Sequence, residues 1–251
     1  IANSALDSAR GNSGTIIAQF FHGMRKSLSG LESANINDFA KALQIGYQSA
    51  HDSLLKPEEG TIITVMRDVA NTAQDLIGNE SLDFATFLNK CYKEAEQSLQ
   101  RTKTILKILK KTDVVDAGAL GYVLLIQGVL NSIQKGSKIQ STHLDISYEL
   151  EKVEALKRDI DFTINNKFCT ECSISGNNIN KNELKHLIKH CGDSMVLAGT
   201  SSKVKVHIHT NHPGKLFQIC SAYGKVVDRK VDDMTKQEHS IHHEGASSIA
   251  I

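Results

Sequence analysis

The chain has 251 residues, 40% of them hydrophobic and 23% charged, with a formal net charge of +1 at pH 7. These values describe a soluble globular protein able to bury a core, in one large domain or two ordinary ones, and give no global field for nucleic acid, so any anion site has to be local. The longest apolar run, Val123-Leu124-Leu125-Ile126, is interrupted by Gln127 and Gly128 and is too short to span a bilayer, so no transmembrane segment is expected.

Nothing at the N-terminus resembles a signal peptide, and Ile1 is not an initiator residue. An excerpt of a longer, cytoplasmic protein is expected. The five cysteines are Cys91, Cys169, Cys172, Cys191 and Cys220, an odd count that does not suit a secreted disulfide framework. Eight of the 11 histidines lie beyond residue 180, the first sign of two domains with different chemistry.

In chain order, Ala9-Arg10-Gly11-Asn12-Ser13-Gly14 precedes an apolar run from Thr15 to Phe21. Two glycines let the backbone turn sharply just before a helix, whose unpaired N–H groups and positive dipole end favour an anion. The same residues equally serve as a plain helix cap after a tight turn. Ile16, Ile17, Phe20, Phe21, Met24 and Leu28 recur at helical spacing, and Gly30 closes that helix. Asn35 to Asp38 offers caps for a helix from Phe39 to about Leu55. Pro57-Glu58-Glu59-Gly60 is a turn, and Thr61 starts an apolar segment through Ala70. Further helices are expected from Leu82 to Leu99, from Thr102 to Lys111, and, after Asp116-Ala117-Gly118-Ala119, from Leu120 through Val129. An all-helical antiparallel barrel or bundle over 1–139 is the natural architecture.

A polar stretch over 140–160 reads as a connection, partly helical near 146–156. Beyond it the period changes. Strands are expected over 168–174, 194–198, 203–209 and 225–231, with helices over 182–191 and from Pro213 to about Tyr223. That order, strand, helix, strand, strand, helix, strand, predicts a small ferredoxin-like α/β sandwich over 161–237 and hence an α+β chain, with 238–251 as a tail or a linker to a further domain.

Three polar insertions at helix starts carry a resemblance. Ala9-Arg10-Gly11-Asn12-Ser13-Gly14, Glu59-Gly60-Thr61-Ile62-Ile63-Thr64-Val65 and Val115-Asp116-Ala117-Gly118-Ala119-Leu120-Gly121 resemble the nucleotide-binding domain of the dihydroxyacetone-kinase type. The second half is similar to the middle domain of the catalytic chain of bacterial fatty acid kinases, through Phe168-Cys169-Thr170-Glu171, Gly192-Asp193-Ser194, Lys205-Val206-His207-Ile208-His209-Thr210 with Pro213-Gly214, and Met234 with Gln237. The resemblance implies a helical barrel that binds ATP or ADP with magnesium at one end. Gly11, Asn12, Ser13 and Gly14 would cradle phosphate, Thr61 would lie near the nucleotide, and Asp116 and Gly118 would close over base or ribose. The family's magnesium is held by an aspartate-rich loop that would precede Ile1, so the magnesium ligands and the catalytic residues are expected outside this chain, which alone should be inactive.

In the second half the resemblance implies zinc at Cys169, His207 and His209. The spacing adds a physical case, because His207 and His209 sit two apart on a strand and project from one face. The plain alternative is a half-buried strand whose polar face carries histidines. Cys172, three residues from Cys169, should face the other way. Cys191 and His190 are expected to serve as packing and as a helix-dipole partner, and His239, His242 and His243 as part of a solvated tail. The expected function is ATP-dependent phosphorylation of a fatty acid carboxylate, giving an acyl-phosphate, with the lipid presented by a fatty-acid-binding partner protein and the kinase forming a homodimer. No acyl tunnel is expected in the chain itself. A polyol or ketose kinase of the same fold, or a nucleotide sensor with a zinc-dependent dimerisation surface, are the alternatives.

Overall fold

The computed structural model describes residues 1–79, 81–106, 109–110, 113–133, 149, 152 and 165–235. Apart from Glu149 and Lys152, both at helical positions, the expected connection over 140–160 lies outside the described residues, as do Gln237, the tail and its histidines His239, His242 and His243. The helical part runs α1 (Ala2–Ser8), α2 (Gly11–Leu28), α3 (Ile36–Ser53), α4 (Ile62–Asp75), α5 (Phe84–Ile105) and α6 (Ala117–Ile133). The α/β part follows as β1 (Phe168–Ser175), α7 (Lys181–Ile188), β2 (Asp193–Gly199), β3 (Lys203–Thr210), α8 (Pro213–Ser221) and β4 (Lys225–Asp233). The expected α+β class and the strand-helix alternation of the second half are both observed.

Contacts group the chain into two compact units that do not follow the order of the sequence. The first holds Ile1–Ala2, Phe20–His51 and Pro57–Leu156; the second holds Asn3–Gln19, Asp52–Lys56 and Lys157–Ile251.

In the first unit each helix buries a stripe set by its 3.6-residue period. On α5 the stripe is Phe87, Leu88, Cys91, Tyr92, Ala95 and Leu99, and on α4 it includes Ile62, Val65, Met66, Val69 and Ala73. Edge-to-face aromatic pairs join helices distant in sequence: Phe20 with Tyr122 at 5.3 Å and Phe39 with Phe84 at 5.2 Å between ring centroids. Reciprocal bonds between Asn35 and Asp38 cap α3, with Asp38 N–H donating to Asn35 Oδ1 at 3.0 Å and Asn35 N–H to Asp38 Oδ2 at 3.2 Å. An apolar cavity of about 90 Å³ lies among these helices, lined by Phe20, Met24, Phe39, Leu43, Tyr122 and Ile126. A cavity that accepts a benzene measures about 150 Å³, so this one is too small for a long acyl chain as it stands.

In the second unit the strands pair antiparallel in the order β2-β3-β1-β4. This is the sheet order of the expected ferredoxin-like sandwich. Cys172, Ile174, Val204, Val206, Ile208, Met195 and Leu197 point to one face and pack with Leu184 and Ile188 of α7 and Leu216 and Cys220 of α8. Period 2 sends Cys169, Glu171, Lys205, His207 and His209 to the opposite face. That face is also covered. Leu6, Ala9 and Ala18 pack on Ala198 of β2, Lys205 Nζ donates to the carbonyl of Ala9, and the Gly199 amide donates to Gln19 Oε1 at 2.7 Å. The β2 edge is extended by a bridge from Leu54 to Val196, with the Leu55 amide donating to the Met195 carbonyl at 3.2 Å.

Several boundaries differ from the sequence expectation. α5 continues to Ile105 instead of stopping at Leu99, because its buried stripe runs on through Thr102. The separate helix expected from Thr102 is therefore the end of α5, followed by a helical turn at Leu109–Lys110. α7 ends at Ile188, which leaves His190 and Cys191 beyond the helix, where the Cys191 amide donates to the Ile188 carbonyl at 2.9 Å. α1 is a helix that the sequence patterning does not announce.

Candidate functional site

The strand register brings the metal candidates together. Cys169 sits directly opposite His209 across the β1–β3 ladder, and Glu171 sits directly opposite His207. Cross-strand partners on one face approach within side-chain contact, so two residues from each strand form a compact square. Cys169, His207 and His209 each offer one ligand atom, all within 4.8 Å of one another. The two imidazole centroids are 5.3 Å apart. Cys172, as expected, is on the other face, in the core beside Cys220.

The charges around the trio suit a soft cation. Burial, with Glu171 and Asp232 adding to it, pushes the Cys169 thiol up to about 11, so without a cation it stays protonated at neutral pH. Burial and the neighbouring His207 push His209 down, against the pull of Asp193, which keeps its ring neutral with a lone pair to give. A bound metal would reverse the balance at the thiol, since coordination favours the thiolate. His207 is 1% exposed, its Nδ1 lies 3.0 Å from Glu171 Oε1, and its Nε2 is buried without a hydrogen-bond partner. Cys169 Sγ lies 4.0 Å from Nδ1 of the same ring, and an imidazole with one orphaned nitrogen, a thiol and a second imidazole within 4.8 Å fit a metal donor set of the kind zinc prefers.

Glu171 belongs to the same sequence motif as Cys169, yet the sequence assigns it no role. Burial alone would push its carboxyl up, but the hydrogen bonds from His207 Nδ1 and the Gly11 amide, with the Lys205 ammonium nearby, hold it down at about 2. A signal for it exists: residues 169 and 171 are two apart on a strand and share a face.

The Gly11 turn lies in the same unit as this sheet. Gly11 has φ +63°, a left-handed value that glycine adopts without strain, and α2 starts there. Its N–H is not free, because it donates to Glu171 Oε1 at 2.7 Å. Thr15 Oγ1 donates to the Gly11 carbonyl at 2.8 Å, and Asn12 Oδ1 is buried without a partner. Asn12, Ser13 and Gly14 occupy the first turn of α2, where amides are left over by the helix geometry.

Thr61, Asp116 and Gly118 lie in the first unit. Thr61 is the N-cap of α4 and donates its hydroxyl to the Glu58 carbonyl at 2.7 Å. Asp116 Oδ2 accepts from the Ile62 amide at 3.1 Å and the Ala119 amide at 2.8 Å, so one oxygen closes the starts of α4 and α6. Burial pushes this carboxyl up, against the amides of Ala119, Ile62 and Gly118. The structure thus brings Thr61 and Asp116 together at two adjoining helix starts and occupies the Asp116 carboxylate in capping.

No helix among the described residues is long and apolar enough to cross a membrane. Comparison with known proteins gives two family matches: residues 1–131 match the DAK2 domain, and residues 165–241 match the FakA-like middle domain of fatty acid kinases. Protein YloV of Bacillus subtilis is 32% identical over 96% of this chain and 45% of its own length. Uncharacterized proteins of Staphylococcus saprophyticus and Staphylococcus epidermidis are 33% and 32% identical, over 98% and 94% of this chain and 46% and 44% of their own lengths. The chain therefore spans under half the length of these relatives. By these matches it belongs to the DAK2-domain family, with a FakA-like middle domain following in the same polypeptide.

Proposed function

We propose that this chain is the nucleotide-binding and metal-binding part of a kinase that phosphorylates a fatty acid carboxylate, presented by a lipid-binding partner protein, to give an acyl-phosphate. The observation that carries the reading is the pairing, in one chain, of the DAK2 match with the FakA-like middle domain of fatty acid kinases. Phosphoryl transfer needs positioning and charge neutralisation more than covalent chemistry from the protein. The residues proposed for the nucleotide are Gly11, Asn12, Ser13 and Gly14 at the start of α2, and Thr61, Asp116 and Gly118 at the starts of α4 and α6. The backbone amides of Asn12, Ser13 and Gly14 bind phosphate oxygens, the Gly11 amide being held by Glu171, and the helix dipole adds to that. Magnesium, when bound with the nucleotide, supplies charge neutralisation.

Cys169, His207 and His209 are the residues that would hold zinc. When bound there it supplies a fixed divalent charge and a covalent clamp across β1 and β3. Glu171 orients His207 for that role by taking up Nδ1. The lipid chain is left to the partner. The kinase works in the cytoplasm as a homodimer.

The test is ATP consumption by the polypeptide that carries this sequence, supplied either with a fatty acid on a lipid-binding carrier or with a small ketose such as dihydroxyacetone. Stimulation by the carried fatty acid, with acyl-phosphate trapped by hydroxylamine, is the expected result. Stimulation by the ketose alone would make the protein a polyol or ketose kinase instead.

A further inference from the structure

The sequence puts the glycine turn and the histidine strand far apart, and one carboxylate oxygen joins them. Glu171 Oε1 accepts the Gly11 amide at 2.7 Å and lies 3.0 Å from His207 Nδ1, with a sequence separation of 160 for the first bond and 36 for the second. Glu171 is 2% exposed, so neither bond is exchanged for water at the surface. Glu171, its partner His207, and Asn12 next to Gly11 each carry a buried polar atom with no hydrogen-bond partner: Glu171 Oε2, His207 Nε2 and Asn12 Oδ1. Buried polar groups are normally satisfied, and the orphans on Glu171 and its partner His207 leave both side chains with capacity for a ligand at the cluster.

We propose that Glu171 is a positioning residue that ties the Gly11 turn to the Cys169, His207 and His209 cluster, so that metal bound at the cluster orders the turn. The inference rests on the metal reading of the cluster given above. A carboxylate at Nδ1 fixes the imidazole tautomer with the proton on Nδ1 and the Nε2 lone pair free for a cation. Coordination at the far nitrogen makes the Nδ1–H a stronger donor, which holds the carboxylate in place, and with it the acceptor of the Gly11 amide. Three further bonds seat the same segment on the sheet: Lys205 Nζ to the Ala9 carbonyl, Lys203 Nζ to Asp7 Oδ1 at 2.5 Å, and the Gly199 amide to Gln19 Oε1 at 2.7 Å. None of these three passes through His207, so among these bonds the metal-sensitive one is that to Glu171.

Arg10 is exposed immediately before Gly11, which provides a reporter in the unaltered chain. Trypsin cleavage at Arg10–Gly11, followed by mass spectrometry, is expected to run several-fold faster after zinc is stripped with a chelator than in the zinc-loaded chain. Equal rates would overturn the link. The second arm measures zinc affinity by competition with a chelating dye. Glu171→Gln is expected to weaken zinc by about 10- to 100-fold, the range for losing a carboxylate behind a histidine ligand. In the cobalt(II)-substituted protein, the same variant is expected to shift the visible d–d bands, which a merely structural contact would leave alone. Unchanged affinity and spectrum would overturn the proposal while leaving the metal site standing. A wild-type chain that takes up neither zinc nor cobalt would overturn the metal reading itself, and the link with it.

Discussion

Asp116 shows how much a single carboxylate oxygen can carry. Oδ2 satisfies one otherwise unpaired amide at each of two helix starts, Ile62 in α4 and Ala119 in α6, while Thr102 Oγ1 accepts the Asp116 amide at 3.1 Å. Replacing a helix cap by alanine costs about 1 kcal/mol for each helix, so Asp116→Ala is expected to lower stability by about 2 kcal/mol or more. Asp116→Asn keeps an acceptor oxygen in the same place and should lose less. Urea unfolding followed by circular dichroism measures both, and an alanine variant as stable as the wild type would show that the caps are replaceable by water. At this scale the sequence is an uneven guide. Cys169, His207 and His209 are legible in it because two histidines two apart on a strand share a face, and the same parity sends Cys172 away from them. The part played by Glu171 is not legible, since it depends on the register that seats Glu171 opposite His207 and on a turn 160 residues away.

Among the elements, the closest approach of two helices is set by glycine. A Cβ added at Gly23 of α2 would come within 2.6 Å of both the Ile45 carbonyl oxygen and Ser49 Cβ on α3, and one added at Gly46 of α3 would come within 2.9 Å of the Phe20 ring. Two opposed effects decide what Gly23→Ala does. Alanine favours an isolated helix by about 0.8–1 kcal/mol, whereas forcing a methyl against backbone in a packed interface costs about 1–3 kcal/mol. The obstructing atom at Gly23 is a carbonyl that no rotamer can move, so overpacking wins and the variant is expected to be destabilised. A higher thermal midpoint for Gly23→Ala would mean that α2 and α3 separate more easily than this crossing implies. Helix periodicity in the sequence locates α2 to α6 because each buries a stripe of the same period, but it cannot place their ends. α5 runs past Leu99 because its buried stripe continues at Thr102, a polar residue that carries no hydrophobic signal. α1, with only Ala2–Ser8 and no charged residue suited to the dipole at either end, offers still less.

On the scale of the molecule, the α/β unit is completed by residues from the other end of the chain. The sheet has one face covered by α7 and α8 and the other by the segment Asn3–Gln19, and Asp52–Lys56 lines its β2 edge. Sequence periodicity shows that a strand has two faces but not what covers the second, so a domain cut drawn from sequence order, at 161, leaves that cover behind. A fragment of residues 161–237 is therefore expected to fold less stably than the same residues within the whole chain. Losing the burial of Leu6, Ala9 and Ala18 against Ala198 removes about 3 kcal/mol or more of apolar contact, taking about 1.5–3 kcal/mol for a leucine and the remainder from the alanine methyls. The bonds of Gln19, Asp7 and Ala9 to the β2–β3 end go as well. Urea unfolding monitored by the amide spectrum of the strands compares the two directly. A lower midpoint for the fragment, raised again by a separate peptide of residues 1–19, is the expected result. A fragment that unfolds at the midpoint of the intact chain, indifferent to the peptide, would mean that the sheet needs no cover on its histidine face and that the Gly11 turn merely rests there.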